Sequence, residues 1–326
     1  MNDRSPELTE ERRARNRLDE IIASRQIVFI TGKGGVGKSV VSAALALRAR
    51  SLGLRPVLFE CDAPTRKSLL PGSKQLGPEL SEVAPGILGI NQRSDDAIRD
   101  YAASTLPSRT VADLLFENRV ARMFLQAAPS VTEMALVGRI ALLGDRHGAE
   151  GPIIVDLHAT GHAISLLRAP AGIMKVLRAG ALFDRAQKID EMLRDPARSA
   201  FLTVAVPEEL PVSELLELSA ALDEMGAPQG PVIVNGVLGS DLGSIDDAAL
   251  AQLGGHDKTA AAAADLIALR AWGRRSAREC GRLRDALTTR HGAADIVTLP
   301  FLVEDGGDPL AARIATELGR PAGGQA

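Results

Sequence analysis

The residues whose types and spacing are best suited to chemistry form the segment TGKGGVGKS at positions 31–39. An apolar run precedes it at 27–30 and an alanine-rich helical pattern follows at 40–50, which is the order of strand, glycine loop and helix in a phosphate-binding P-loop. Glycines let successive main-chain N–H groups face phosphate oxygens, and the N-terminus of the next helix adds partial positive charge. The spacing places Lys38 at the β- and γ-phosphates and Ser39 at Mg²⁺. The predicted phosphate contacts are Gly32, Gly34, Gly35, Val36, Gly37, Lys38, Ser39 and Val40.

A second lysine in this segment, Lys33, is not required by the phosphate-binding motif. It directly follows the first glycine, and Lys38 already serves the phosphates of its own chain. The residues alone leave two interpretations open. Lys33 is either a solvated loop lysine or a cation that acts on a group outside its own phosphate site.

Apolar runs along the chain are spaced as the strands of one sheet. Six strands are predicted, at 27–30, 56–60, 153–155, 201–206, 232–234 and 295–299. Nearly unbroken apolar strands separated by helical stretches are typical of a mostly parallel sheet that helices cover on both faces. We therefore expect an α/β fold of the P-loop NTPase type, with functional residues where strands end. The polar and proline residues at these ends are Asp62, Asp156, Pro207, Asn235 and Pro300.

The other segments predict one domain with helical additions. Residues 1–25 are highly charged and form a lead-in helix, residues 26–318 form the domain, and residues 319–326 form a flexible tail. Helical insertions at about 95–147 and 170–197 form a subdomain over the nucleotide face. Arginines at every fourth position line one later helix face, which is either solvated or a contact for an acidic partner, a lipid surface or a filament. These arginines are Arg270, Arg274, Arg278 and Arg282.

Composition limits the classes of partner and cofactor. The formal net charge of the 326-residue chain is −3, so no general attraction to nucleic acid and no specific nucleic-acid partner is expected. Cys61 and Cys280 are too far apart in sequence for a CxxC site, and no zinc is expected. Without a signal peptide or an apolar run long enough to span a membrane, the sequence predicts a soluble cytoplasmic protein.

Asp156 closes the apolar run at 153–155, well downstream of the glycine loop. A carboxylate in this position holds Mg²⁺ directly or through water in P-loop enzymes. An aspartate after a strand is also a common N-cap of the following helix. The residue type and position alone do not choose between these two roles.

Several segments resemble the ArsA family, which includes the ATPases of guided entry of tail-anchored proteins. The run VDLHATGH at 155–162 resembles the switch II signature DTAPTGH of that family, and KGGVGK at 33–38 is similar to its deviant Walker A loop, shared with MinD, ParA and nitrogenase iron protein. CDAP at 61–64 lies where the family has its switch I motif, and PEELPVSE at 207–214 is similar to its PE segment. VN at 234–235 resembles its adenine-contacting pair, and LPF at 299–301 its base loop. The resemblance covers residues 26–318 and is strongest to paired bacterial ArsA-like ATPases, encoded as two related chains.

This resemblance implies a role for each matching residue. Lys33 crosses a dimer interface to the partner's nucleotide, and Asp62 positions and polarises the attacking water. Asn235 contacts adenine, while Pro300 and Phe301 flank the base. The implied catalytic residues are therefore Lys33, Lys38 and Asp62, and the implied Mg²⁺ ligands are Ser39 and, through water, Asp156.

The function that the resemblance implies is an Mg²⁺-dependent ATPase whose nucleotide state closes and opens a dimer. The expected dimer partner is a second copy of the chain or an ArsA-like paralogue. The resemblance also allows a hydrophobic or membrane-associated protein client, and with it a cytoplasmic protein that acts at the membrane periphery. Residues 62–66 read DAPTR where the family has DPAHS, so the His-Ser of that motif is absent, and Ala159 replaces the switch II proline. Hydrolysis is therefore expected to be slow or partner-dependent. One alternative is a nucleotide-controlled scaffold in which hydrolysis is secondary. A second is an arsenite-efflux ATPase, which is the less expected of the two because the chain has only 2 cysteines, far apart in sequence.

Overall fold

The sheet consists of eight strands in the residues that the computed structural model describes, which are 6–61, 63, 69–93, 96–98, 131–157, 160–238, 260–303 and 309–320. Its order is β3-β4-β2-β5-β1-β6-β7-β8, and every neighbouring pair is parallel except β3 and β4. The strands are β1 Ile27–Gly32, β2 Val57–Cys61, β3 Ser81–Ala84, β4 Ile87–Gln92, β5 Ile153–Asp156, β6 Ser199–Ala205, β7 Val232–Val237 and β8 Ile296–Pro300. The α/β fold predicted from the apolar runs is confirmed.

Helices cover both faces of this sheet. They are α1 Pro6–Ser24, α2 Lys38–Ser51, α3 Val131–His147, α4 Thr160–Val176, α5 Ala181–Arg194, α6 Glu209–Glu224, α7 Ala260–His291 and α8 Leu310–Gly319. None of the helices in the described ranges combines the length and hydropathy needed to cross a bilayer.

Alternate residues of the central strand β1 contribute to two separate hydrophobic clusters. Val28 and Ile30 pack with α1, α2 and α8, whereas Ile27 and Phe29 pack with α3, α4 and α5. Because successive side chains of a strand point to opposite faces, the two clusters lie on opposite sides of the sheet. The rings of Phe29 and Phe201 stack across β1 and β6 with their centroids 4.6 Å apart. A third cluster joins α6 and α7 to β7 and β8.

The edge hairpin of β3 and β4 is not among the six strands that the apolar runs predict. Its apolar pattern is short and is interrupted by Gly89 within β4. That glycine is required by packing, since a Cβ there would lie 2.8 Å from Val83 Cγ2 on the paired strand. Gly86 adopts a φ of 73° between the two strands, which a side chain would strain. Strand β4 then pairs with β2 in parallel and extends the sheet.

The helical insertions predicted from the sequence are described only in part. Helix α3 lies in the last part of the 95–147 range, and residues 99–130 lie outside the described residues. Helix α4 begins at Thr160, before the predicted start at 170, and α5 ends at Arg194.

Register brings the carboxyl ends of the strands to one edge. Ile30 of β1 pairs with Asp156 of β5, and Asp156 pairs with Glu60 of β2. On the other side Gly32 pairs with Val204 of β6. The loop after β1 therefore lies beside Asp156, at the point where the strand order reverses and where open α/β sheets bind ligands.

Candidate functional site

The glycine loop is held in place by two close backbone contacts. Gly32 lies so near β6 that a Cβ at this position would collide with the carbonyl oxygen of Val204. Gly37 has a φ of 91°, and a Cβ there would collide with the side-chain amide of Asn235. A side chain at either position would displace a neighbour, so the structure explains both glycines without reference to a ligand.

The outer side of the loop has room for a ligand. A Cβ built at Gly34 or Gly35 would meet no atom within 4 Å. Helix α2 begins at Lys38, and its N-cap Gly37 makes no side-chain capping bond. The first N–H groups of a helix lack partners within the helix, and with the helix dipole they favour an anion. The loop and the start of α2 therefore form a cradle suited to phosphate.

Lys38 is a buried cation at the start of this cradle. Its side chain is 9% exposed, and Nζ donates to the carbonyl oxygen of Lys33 at 2.9 Å. Burial lowers the pKa of the Lys38 ammonium, and the negative charge of Asp156 opposes part of that shift. A poorly solvated ammonium gains more from a bound anion than an exposed one does. The residues present thus fit a phosphate ligand.

Asp156 is the last residue of β5 and is 8% exposed. Ser42 Oγ of α2 donates to Asp156 Oδ1 at 3.5 Å. Leu157, the next residue, is not helical, so Asp156 is not the residue directly before a helix and the N-cap interpretation is wrong. Within the described ranges no group of three metal-ligating side chains occurs. Mg²⁺ keeps several waters and uses few carboxylates beside substrate phosphates, so Ser39 with Asp156 is a sufficient protein contribution.

Two hydrogen bonds that the sequence did not predict join Asn91 to the main chain beside the predicted switch I. Asn91 of β4 accepts from Ala63 N at 3.0 Å and donates to Ala63 O at 2.9 Å. Ala63 directly follows Asp62 in the chain, and Asp62 itself lies outside the described residues, as do His158 and Ala159 of switch II. Asn91 could have been predicted only if β4 had been identified as the strand next to β2.

The predicted base-binding residues lie on two paired strands: Asn235 is within β7, and Pro300 and Phe301 are at and directly after the end of β8. Asn235 Nδ2 donates to Val36 O at 3.0 Å, and Phe301 N donates to Val237 O at 2.9 Å. The Phe301 side chain is 43% exposed, and Trp272 of α7 packs against it edge to face with centroids 4.8 Å apart. Pro300, the last residue of β8, pairs with Val237. Trp272 was missed, because nothing in the sequence places the middle of α7 beside the end of β8.

Lys33 makes an ion pair within its own chain. Its Nζ lies 2.7 Å from Glu214 Oε1 of α6, and each side chain is 33% exposed. The interpretation of Lys33 as a freely solvated lysine is therefore wrong. Of the arginine row on α7, Arg278 and Arg282 lie 3.6 and 3.0 Å from Glu279, and Arg282 also contacts α6.

The fold and this site together define a P-loop nucleoside triphosphatase. A glycine loop joins the central parallel strand to a helix, and a strand-end aspartate lies on the neighbouring strand. Residues 25–180 and 178–248 match the sequence profile of the family described as anion-transporting ATPase. The chain belongs to this family, known as the ArsA ATPases, as the switch motifs predicted.

Individual relatives are distant. An arsenical pump-driving ATPase of Escherichia coli is 27% identical over 231 residues, which are 65% of this chain and 39% of the relative. The ATPase BagA of Mycobacterium tuberculosis is 25% identical over 224 residues, 64% of each chain. An uncharacterized protein of Streptomyces coelicolor is 31% identical over 155 residues, 46% of this chain and 38% of the relative. The chain thus spans between 38% and 64% of the length of these relatives.

Proposed function

We propose that this chain hydrolyses ATP with Mg²⁺ and that its nucleotide state closes and opens a dimer. The observation that carries the proposal is the buried Lys38 ammonium at the N-terminus of α2, beside Asp156 and below an open glycine cradle. Membership in a family of ATPases supports the reaction. The dimer is supported by the resemblance of 33–38 to the Walker A loop in which the first lysine acts on a partner.

The chemistry is positioning and neutralisation of charge. In the proposed reaction Lys38 and the N–H groups of the loop stabilise the negative charge that develops on the transferred phosphoryl group. Ser39 and Asp156 would hold Mg²⁺, which would supply positive charge to the phosphates. Asp62 orients the attacking water. Lys33 of the second subunit adds a further positive charge on closure.

Two measurements on the full chain test this proposal. Phosphate release from ATP is followed with and without Mg²⁺, and light scattering after size exclusion gives the mass with ADP and with a non-hydrolysable ATP analogue. We expect Mg²⁺-dependent release and a dimer with the analogue only. A chain that binds ATP yet stays monomeric, alone and with an ArsA-like paralogue, contradicts the dimer.

Asp62→Asn separates hydrolysis from assembly. If the nucleotide only fixes a scaffold, this variant keeps its analogue-dependent dimer and its cellular function while phosphate release is lost. If the hydrolytic cycle is the function, the cellular function is lost too.

A hydrophobic or membrane-associated client remains part of the proposal. It is supported by exposed apolar side chains on α4 and α5, where Val176 is 80% and Leu182 38% exposed.

Arsenite is expected to leave ATP turnover unchanged, although relatives are named arsenical pump-driving ATPases. Trivalent arsenic binds thiolates, and the chain has 2 cysteines, both buried. Cys61 and Cys280 belong to different hydrophobic clusters, and burial raises the pKa of the Cys280 thiol. The check is phosphate release with and without arsenite. A stimulated rate would show that arsenite regulates this chain.

Phe301→Ala is expected to weaken ATP and ADP binding about ten-fold, because stacking on an aromatic side chain stabilises a bound base. Trp272 is the single tryptophan of the chain and contacts Phe301, so its fluorescence reports binding. Binding of tripolyphosphate, which has no base, should not change. Ile267→Ala, an exposed apolar change on α7, is the matched control. Equal losses for ATP and tripolyphosphate would contradict a base contact.

A further inference from the structure

The Lys33 ammonium is bound by a carboxylate of its own chain. Its carbonyl oxygen accepts from Lys38, but its side chain reaches 2.7 Å from Glu214, a residue 181 positions further along the chain. In the proposed cycle the Lys33 ammonium therefore binds two different anions in turn. One is the carboxylate of its own subunit, and the other is the phosphates bound by a second subunit.

Glu214 lies on a firmly anchored part of α6. Its neighbours Val212 and Leu215 are buried in the cluster with α7, β7 and β8. Arg282 of α7 donates to Glu209 O at 2.8 Å and to Ser213 Oγ at 3.0 Å. The Glu214 carboxylate is therefore at a defined position beside the loop, and the ion pair does not depend on a loose segment.

We propose that Glu214 is a positioning residue for Lys33: it holds the ammonium on its own subunit until the phosphates of a second, nucleotide-bound subunit replace the carboxylate. This inference rests on the dimer of the proposed function. The exchange replaces one anion by a more highly charged one, so the ammonium keeps a counter-charge in both states. The pair stabilises the open subunit, and only a partner that carries nucleotide phosphates supplies the replacement.

Each side chain of the pair is about one-third exposed, so the effect of the pair is moderate. An ion pair of this exposure shifts an equilibrium by up to about five-fold. A closing dimer breaks one pair in each subunit, and two losses multiply to about 25-fold at most. Removal of the carboxylate should therefore make closure easier.

The test uses the full chain with Glu214→Gln and, as a second variant, Glu214→Ala. With Mg²⁺ and a non-hydrolysable ATP analogue, light scattering gives the protein concentration at which half of the chains are dimeric. We expect both variants to dimerise at a concentration about 2- to 25-fold lower than the wild type. Glu217→Gln, an exposed carboxylate on the same helix, is the matched control and should behave as wild type.

A double variant separates positioning from helix stability. Lys33→Ala with Glu214→Gln should dimerise like Lys33→Ala alone, since Glu214 acts only through Lys33. Unchanged or weakened dimerisation of Glu214→Gln in a wild type that does dimerise overturns the role of Glu214 and leaves the proposed function intact. A wild type that binds the analogue without dimerising overturns both.

Discussion

Replacement of Lys38 by methionine is expected to lower ATP turnover about 10²- to 10³-fold, the loss typical of removing one preorganised group from transition-state charge. Methionine keeps the approximate length of the side chain and removes its charge. Lys38 is buried at the start of α2, and its ammonium lies beside the cradle formed by Gly34 and Gly35. Phosphate release measures turnover, and Trp272 fluorescence measures nucleotide binding. Retention of most of the wild-type rate would contradict the assignment of this site.

The same variant should be at least as stable as the wild type without nucleotide. Burial lowers the Lys38 pKa in the folded chain, so folding at neutral pH carries the cost of a poorly solvated charge. This cost is present in full below the folded-state pKa. It disappears as the pH rises from that value to the ordinary value for lysine. The gain from Lys38→Met, measured by urea unfolding, should thus be present at neutral pH and shrink in alkaline solution.

An exposed lysine provides the control for this stability difference. Lys188→Met on α5 removes a charge that is already solvated, so its effect on unfolding should be small. If Lys38→Met is less stable than Lys188→Met at neutral pH, the ammonium contributes to folding through its contacts, and the cost of burial is not the dominant effect.

Asp156→Asn is expected to raise the Mg²⁺ concentration for half-maximal turnover about 10- to 100-fold, as the loss of a group that orients metal-bound water does. The substitution keeps the shape of a buried side chain that accepts from Ser42 and removes its charge. Binding of ATP without Mg²⁺ should change little, because the phosphate contacts of the loop remain. Titration of phosphate release with Mg²⁺ checks the prediction.

Asp285→Asn, an exposed substitution on α7, controls for the general loss of one negative charge. It should leave the Mg²⁺ requirement unchanged. An Asp156→Asn variant with the same Mg²⁺ requirement as the wild type would mean that Ser39 and the phosphates hold the ion without help from β5.

The sequence sufficed for the parts of the site that depend on local order. Lys38 and Ser39 follow from a motif in which strand, loop and helix are consecutive, and Asp156 follows from the apolar run that it closes. The parallel sheet and the family were predicted for the same reason. The roles of Lys38, Ser39, Asp62 and Asp156 remain predictions.

Contacts between distant segments could not be predicted in this way. Glu214 meets Lys33 only because α6 packs beside the loop, and Asn91 meets Ala63 only because β4 lies next to β2. Trp272 and Phe301 come from different elements in the same manner. Each of these pairs depends on strand order and helix packing, which a pattern of residue types along one chain does not contain.

Because both native cysteines are buried, a dye can be attached selectively at an introduced cysteine. Labelling reagents attack thiolates, and a buried thiol such as Cys280, whose pKa is raised by burial, offers few of them. A cysteine introduced at an exposed position such as Val176 would therefore carry a dye almost alone. Two subunits labelled in this way, one with a donor and one with an acceptor, would test the proposed closure and reopening as a change of distance in real time, with the native thiols left in place.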